Sequence, residues 1–553
     1  MEKRILLAFI LSFGVLYGFR ALYAPTEPQT AVPAPSQPTS EESVPVPAPI
    51  QQESANSDQS QATVPVPEGG IRAENPEEFV FDTELYTATV SNVGGGLKSF
   101  RLKAYKDANG DPIELIDADG ASKVGWPLAV VTGDKAVDEA LVTASYVGRR
   151  DGQKVEMEFA ADGIYVRKSL QFDPAKYDFQ LSTSVSKNGN AIPHSVVWQG
   201  GFGDQSVTAP DALTKNVVYR TAGEFERVNI DGLPVVSAGE ESLEVMGDRV
   251  GVEDQYFLAM FLLPKATGPV KAEKRDYARG EEQISTAYVA MPVDSSVPTL
   301  VYMGPKDERW LRQSDPQLPA VIDYGFFGVL AQPLIVALLW LNSYIGNFGW
   351  AIIILTIVIN FVLFPLRLKQ QVSMQKMQKI QPQMKTLQDR YKKLKANDPR
   401  RAQVQTEMMN LYKEHGVNPM GGCLPLLLQI PFFAAIWTML SISIELRQAP
   451  WMLWITDLSR YDPYYVLPIL MAVSMVIMQK MTPTTVDPSQ AKIMMIMPLV
   501  FAVMFLQAQS GLALYWLTSN VVGIGQQFFM NQYWTPRTEA KLMRGQRRGS
   551  DTQ

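Results

Sequence analysis

Cysteine and histidine are almost missing from this chain of 553 residues. The single thiol, Cys423, excludes an internal disulfide and any zinc or iron–sulfur centre built on several cysteines. His194 and His415 are too few for histidine-rich metal or triad chemistry, and no G-x-x-x-x-G-K-[ST] loop is present to hold a nucleotide. No cofactor, metal or covalent chemistry is therefore expected. Charge is also missing, but only locally: residues 324–366 and 493–536 contain no Lys, Arg, Asp or Glu, runs of 43 and 44 residues. Such runs exclude a purely soluble protein.

The charges that are present are unevenly spread. Residues 72–323 hold 26 Lys and Arg against 39 Asp and Glu, whereas 367–420 hold 12 against 4. The first apolar run, Ile5 to Phe19, follows Lys3 and Arg4, so a cleaved signal and an anchor both have to be weighed. Ala21-Leu22-Tyr23-Ala24 puts large residues where a cleavage site needs small ones, which favours an uncleaved anchor over 1–24.

The run 324–366 is too long for one span of about 20 residues. Pro333 and the break Asn342 to Asn347 divide it into an interfacial amphipathic helix within 324–346, near Phe326 to Leu341, and a second span in 347–366. Four further spans are predicted within 421–534, at about Leu424 to Ile444, Tyr464 to Gln479, Ile493 to Gln507 and Gly511 to Met530. Lysine and arginine concentrate in 367–420 and in the tail at 535–553, while loop 445–463 has only Arg447 and Arg460. That asymmetry predicts six spans with both termini cytoplasmic and residues 24–323 on the outer side.

Residues 25–67 carry ten prolines and no Lys or Arg, so 25–77 reads as a disordered tether. From 78 to 323 short alternating runs such as Leu85 to Val90 and Tyr177 to Val185, separated by turns such as Gly94-Gly95-Gly96, predict an all-β sandwich. Its many carboxylates read as a solvated acidic surface and His194, beside Pro193, as a turn residue. In 367–420, Met374, Met377, Ile380, Met384, Leu387, Tyr391 and Leu394 recur at helical spacing, and a second helix to Lys413 follows. These methionines suit either capture of varied partners or packing of the two helices on each other.

Several segments at the ends of these spans resemble the YidC family of membrane protein insertases. They are Asn418-Pro419-Met420-Gly421-Gly422-Cys423-Leu424-Pro425, Glu445-Leu446-Arg447-Gln448-Ala449-Pro450, Asp462-Pro463-Tyr464-Tyr465, Gln479-Lys480-Met481-Thr482-Pro483 and Gly511-Leu512-Ala513-Leu514-Tyr515-Trp516. The β segment is similar, by position and class, to the large periplasmic domain of the Gram-negative branch. The resemblance implies a polytopic α-helical inner-membrane protein with a five-helix core. It also implies insertion and folding of newly made membrane proteins, alone or beside the Sec translocon. Implied partners are nascent membrane proteins, the phospholipid bilayer and, through the hairpin and basic tail, the ribosome.

An insertase needs a hydrated groove, because unsatisfied polar groups in hydrocarbon cost several kcal/mol each. Candidates are Thr356 and Asn360, one turn apart, with Gln429, Ser519 and Asn520, and also Thr438, Ser441, Ser474 and Thr518. For single serines and threonines, interhelical hydrogen bonding is a better explanation than groove lining. Family members usually carry a groove arginine five residues before the proline that ends that span; here the position holds Asn360, with Arg367 and Lys369 two turns nearer the cytoplasm. The resemblance further implies a substrate slide at Ile430, Phe433, Phe505 and Trp516, positions that core packing also accounts for. Met374, Met377 and Met384 are the candidates for passenger capture. A transporter or channel with a ligand-capturing β domain is the alternative, against which stands the lack of an inverted repeat among the core spans.

Overall fold

The computed structural model describes residues 70–107, 109–206, 215–238, 240–391, 400–414, 424–482 and 488–534. The predicted anchor, the tether up to residue 69, His415, Cys423 and the basic tail lie outside the described residues. Within 70–323 the chain forms antiparallel sheets, and strand 164–172 shows why: Ile164, Val166, Leu170 and Phe172 point inward and Arg167 and Gln171 outward, the period-2 pattern of a half-buried strand. A ten-stranded sheet has Phe257–Leu262, Thr299–Pro305, Asp178–Lys187 and Ile164–Phe172 side by side, in registers such as Met260 opposite Tyr302 and Val166 opposite Val185. A four-stranded sheet, Glu78–Asp82 to Pro112–Glu114, covers part of it through aromatic contacts, Phe81 to Phe172 at 4.6 Å and Tyr86 to Phe172 at 6.3 Å. A five-stranded sheet built on Val270–Arg279 and Glu282–Pro292 joins the same core, where Trp198 meets Phe202 and Phe261 edge-on. Short helices α1 (Ala118–Val124), α2 (Lys135–Thr143) and α3 (Glu308–Ser314) are each N-capped by an aspartate. His194 is buried before a strand and shares a 2.7 Å hydrogen bond with Thr183.

Lys168 occupies the inward phase of strand 164–172 and is fully buried. Its Nζ donates to the carbonyls of Leu128, at 2.5 Å, and of Gly95, and burial pushes its ammonium down to about 7. A neutral amine still has two N–H groups for these two acceptors. Between about pH 7 and its ordinary value the unfolded chain binds a proton that the folded chain does not, so stability should rise with pH through that window. In the full chain in detergent, the β-domain melting temperature should rise from about pH 7 to about pH 9. Lys168→Met should remove that slope and cost about 1–3 kcal/mol for each stranded carbonyl. A slope unchanged in the variant would assign the pH response elsewhere.

The helical part consists of α4 (Gly328–Ile345), α5 (Phe348–Tyr391), α6 (Arg400–Glu414), α7 (Leu424–Ile442), α8 (Val466–Met481), α9 (Pro488–Met504) and α10 (Ser510–Phe529). Among the described residues α4 and α5 are long and apolar enough to cross a bilayer, and Gln429–Ile442, Val466–Met481 and Met495–Gln507 are shorter apolar stretches. Two sequence expectations are corrected. The helix beginning at Phe348 does not break at the end of the predicted span 347–366: α5 runs through Pro365 and Pro382 for 44 residues, so the predicted span and the hairpin arm are one helix. Pro365 removes a single i−4 bond, and the packed neighbours of the apolar turns hold the helix together across it. Nor is α4 amphipathic. Its buried face is Ala331, Ile335 and Leu338, and its exposed face, Val329, Val336, Trp340 and Tyr344, is apolar too; it continues past Leu341 to a left-handed Gly346.

α10 packs against α5 and α8, α9 against α8, and α4 against α5 and α7. Ile352, Leu355, Met439, Met471, Leu512 and Tyr515 form their shared core. Segment 443–465 connects this bundle to the β domain. Ile444 is buried in the β-domain core, and Arg447 Nη2 donates to Asp204 Oδ2 at 2.5 Å. Gln448 Nε2 donates to the Lys106 carbonyl at 2.7 Å, and Gln255 Nε2 to the Ser441 carbonyl at 2.5 Å. The turn before α10 lies at the same end, since Ser510 N donates to Arg460 O at 2.6 Å and Gly511 N to Leu458 O at 2.9 Å. The start of α5, the end of α7 and the starts of α8 and α10 thus sit at the β-domain end of the bundle, and the long arm of α5 projects from the other.

Candidate functional site

Polar side chains between apolar helices need partners on the facing helix, because no water is available to replace them. α5 and α10 supply such partners to each other along one line. Thr356, Asn360, Arg367 and Gln371 fall at i, i+4, i+11 and i+15, a single face of α5. Ser519 and Gln526, seven apart on α10, face them. Thr356 Oγ1 donates back to the Ile352 carbonyl at 2.6 Å, and Asn360 Nδ2 donates to the Thr356 carbonyl at 2.8 Å. Across the seam Asn360 and Ser519 contact at 3.4–3.5 Å, and Gln526 Nε2 donates to the Asn360 carbonyl at 3.1 Å. Arg367 Nη1 then donates to Gln526 Oε1 at 2.8 Å. Beyond it Gln371 meets Gln527 and Asn531, each at 3.4 Å, and Asn531 Nδ2 donates to the Met481 carbonyl at 3.1 Å.

The seam is graded. Thr356 and Asn360 are buried, Arg367 is half-buried, and Lys369, two residues on, points to the opposite side and is exposed. Among the described residues no carboxylate pairs with Arg367. Gly523 lies beside the guanidinium: a Cβ there would stand 3.3 Å from Nη1 and 2.9 Å from Met478 Cε. Gln370 is buried with Nε2 unpartnered among the described residues. Several cross-helix amide contacts sit at 3.4–3.5 Å, the outer limit of a hydrogen bond, so a competing polar group displaces them at small cost.

The structure brings Thr356, Asn360 and Ser519 together and separates them from two other candidates. Asn520, one residue from Ser519, turns to α8 and donates to Ser474 Oγ at 2.9 Å. Gln429 is half-buried on α7 and is not among the partners of Thr356, Asn360 or Ser519. Gln371, Gln526, Gln527 and Asn531 were not singled out from the sequence. The signal was present, since Gln526-Gln527 is an amide pair inside an uncharged apolar run.

Three of the four slide candidates form one aromatic cluster. Trp516 meets Phe433 edge-on at 4.8 Å and Phe505 at 5.4 Å, and Phe505 is fully buried. Phe501 (5.4 Å from Trp516) and Trp437 (5.8 Å from Phe433) complete it, each one turn along its helix from a candidate. Ile430, one turn before Phe433, is exposed. On the arm of α5, Met374, Met377 and Met384 are half-buried, while Ile380 between them is buried.

Comparison with known proteins covers nearly the whole chain. The family model described as 60Kd inner membrane protein matches residues 340–537, and the YidC periplasmic domain model matches 78–337. The membrane protein insertase YidC of Citrifermentans bemidjiense is 37% identical over 96% of this chain and 99% of its own length. That of Geotalea daltonii is 36% identical over 96% and 99%. A crystal structure of an active YidC insertase with its first transmembrane domain resolved is 20% identical, with a TM-score of 0.36 over 84% of this chain and 94% of that one.

Proposed function

Because this chain belongs to the YidC family of membrane protein insertases, we infer that it places newly made membrane proteins into the inner membrane through the polar seam between α5 and α10. Residues 78–337, matched by the periplasmic-domain model, contain its periplasmic β-sandwich, and its substrates are nascent membrane proteins. One observation carries the seam as the working site: two successive hydrogen-bonded groups of hydroxyls, amides and one guanidinium, Thr356 to Arg367 and then Gln371 to Asn531, each with contacts as long as 3.4–3.5 Å, in helices that are otherwise apolar. A polar segment of a passenger exchanges its bonds for those of the seam and avoids crossing dry hydrocarbon. With an amide at position 360, the charge of this site is supplied by Arg367, half-buried and held by Gln526 in place of a carboxylate. Ile430 and Trp437, exposed at the edge of the aromatic cluster around Trp516, offer the passenger's apolar face a matching surface, and the methionine-bearing arm of α5 receives it first. We assign the β-domain end of the bundle to the periplasm. The arm of α5, the tail and the chain start then lie in the cytoplasm, giving six spans within reach of the Sec translocon and the ribosome.

In proteoliposomes containing the full chain, a small single-span passenger should insert without any other protein. Asn360→Leu removes the amide while keeping the volume. It should slow a passenger whose translocated terminus is polar by roughly tenfold, the effect of about one lost buried hydrogen bond. A passenger with an apolar terminus should be slowed far less. Equal slowing of both would make Asn360 a packing residue.

A further inference from the structure

Segment 443–465 has a second side. Its first part is bound to the periplasmic domain through Ile444, Arg447 and Gln448, and at Trp451 it turns away. Trp451 N donates to the Ile455 carbonyl at 3.0 Å and Ile455 N to the Met452 carbonyl at 3.1 Å, closing a tight turn with Met452 and Leu453 at its tip. Leu453 is 76% exposed and Met452 40% exposed, and Leu453 holds φ at +54°. A left-handed leucine is strained, and an exposed apolar side chain brings no burial within the protein to offset it. Such strain persists where the surroundings define it, and here they do.

The flanking tryptophans set the height of the turn. Trp451 lies on the first turn of α5: a Cβ at Gly349 would stand 2.1 Å from Trp451 Cδ1, and Trp350 meets Trp451 at 6.0 Å. Asn347 Nδ2, just before α5, donates to the carbonyls of Pro450 at 3.2 Å and Trp451 at 3.0 Å. On the other flank Trp454 Nε1 donates to Asp462 Oδ1 at 2.9 Å and its ring meets Tyr464 at 6.0 Å, just before α8. The tip is therefore level with the first residues of two apolar helices, the height at which hydrocarbon gives way to headgroups. No Lys, Arg, Asp or Glu occurs from Gln448 to Thr456. Trp340, Tyr344 and Trp350, all exposed, continue the same aromatic belt along α4 and α5.

We propose that the turn Trp451–Ile455 is seated in lipid, with Met452 and Leu453 entering the outer leaflet at the boundary between headgroups and acyl chains, while the same segment grips the periplasmic domain. The segment is then a clip that fixes the height of the β-sandwich above the bilayer. The inference rests on the membrane reading of the bundle and is independent of the seam between α5 and α10.

The test uses the full chain with Cys423→Ser and Leu453→Cys, labelled with an environment-sensitive nitrobenzoxadiazole probe. It is reconstituted in phosphatidylcholine–phosphatidylglycerol vesicles with iodide on both sides. The expected result is blue-shifted emission, quenched severalfold more by a spin label at a shallow acyl position than by iodide. Met452→Cys should behave in the same way and serves if the first variant misfolds. Quenching by iodide but not by spin-labelled lipid would place the tip in water, and protection from both would mean that protein covers it; either result overturns the proposal. Insertion activity is not the readout, so failure here leaves the proposed function intact.

Discussion

Arg447→Ala should release the periplasmic domain from the helix bundle, with a loss of roughly 3–5 kcal/mol, the cost of stranding one member of a buried ion pair. The side chains of Arg447 and Asp204 are 6% and 0% exposed, and Asp204 has no water to turn to when the guanidinium is removed. The carboxylate is locked in place. Its backbone N–H donates to Asp254 Oδ2 at 2.9 Å, an approach that requires Gly203, at φ +99°, where a Cβ would stand 2.3 Å from that oxygen. Arg447 Nη1 has no partner among the described residues, so the pair is incompletely satisfied and its net contribution is small. Breaking it and replacing it are therefore different experiments. Arg447→Ala should lower the melting temperature and speed hydrogen exchange across 200–206 and 443–448, whereas Arg447→Met with Asp204→Leu should recover most of the loss. An alanine variant that melts and exchanges like the parent would show that Ile444, Gln448 and Gln255 hold the junction without the ion pair.

That junction was invisible in the sequence, and the reason is physical. Arg447 and Asp204 are separated by 243 positions, and nothing local at either marks the other as its partner. By contrast, what burial alone decides was legible. Uncharged runs became helices at α5, α7, α8, α9 and α10, and the alternation in Leu85 to Val90 and Tyr177 to Val185 became the strands Tyr86–Ser91 and Asp178–Lys187. Periodicity misled where one signal stood for two states. Pro365 reads as a helix end in water, yet a packed apolar helix continues through it, and Pro333 with the break at Asn342 to Asn347 reads as bounding an interfacial amphipathic helix, whereas α4 exposes Val329, Val336 and Trp340.

The candidate site was partly legible for the same reason. A polar residue in an apolar run announces that it needs a partner, which pointed to Thr356, Asn360 and Ser519. It does not announce which helix supplies one, so Asn520 was grouped with Asn360 although it bonds Ser474. Gln526 passed unnoticed although it bridges Asn360 and Arg367. The seam side of Arg367 follows from its seven-residue spacing to Asn360, but its isolation from carboxylates required the fold.

The central claim is that polar segments of a passenger travel along the seam between α5 and α10. It predicts proximity in an engaged state, which disulfide trapping reads directly. A ribosome-bound passenger carrying one cysteine in its polar segment would be presented to vesicles holding the Cys423→Ser chain with Asn360→Cys, Gln526→Cys or Val358→Cys. Val358 is 50% exposed on the opposite face of α5 and reports the lipid side. Trapping at positions 360 and 526 should exceed that at 358 by about tenfold or more, as expected when one site holds the passenger at high effective concentration. Trapping that is equal at all three, or confined to position 358, would contradict the account and place the passenger's path outside the seam.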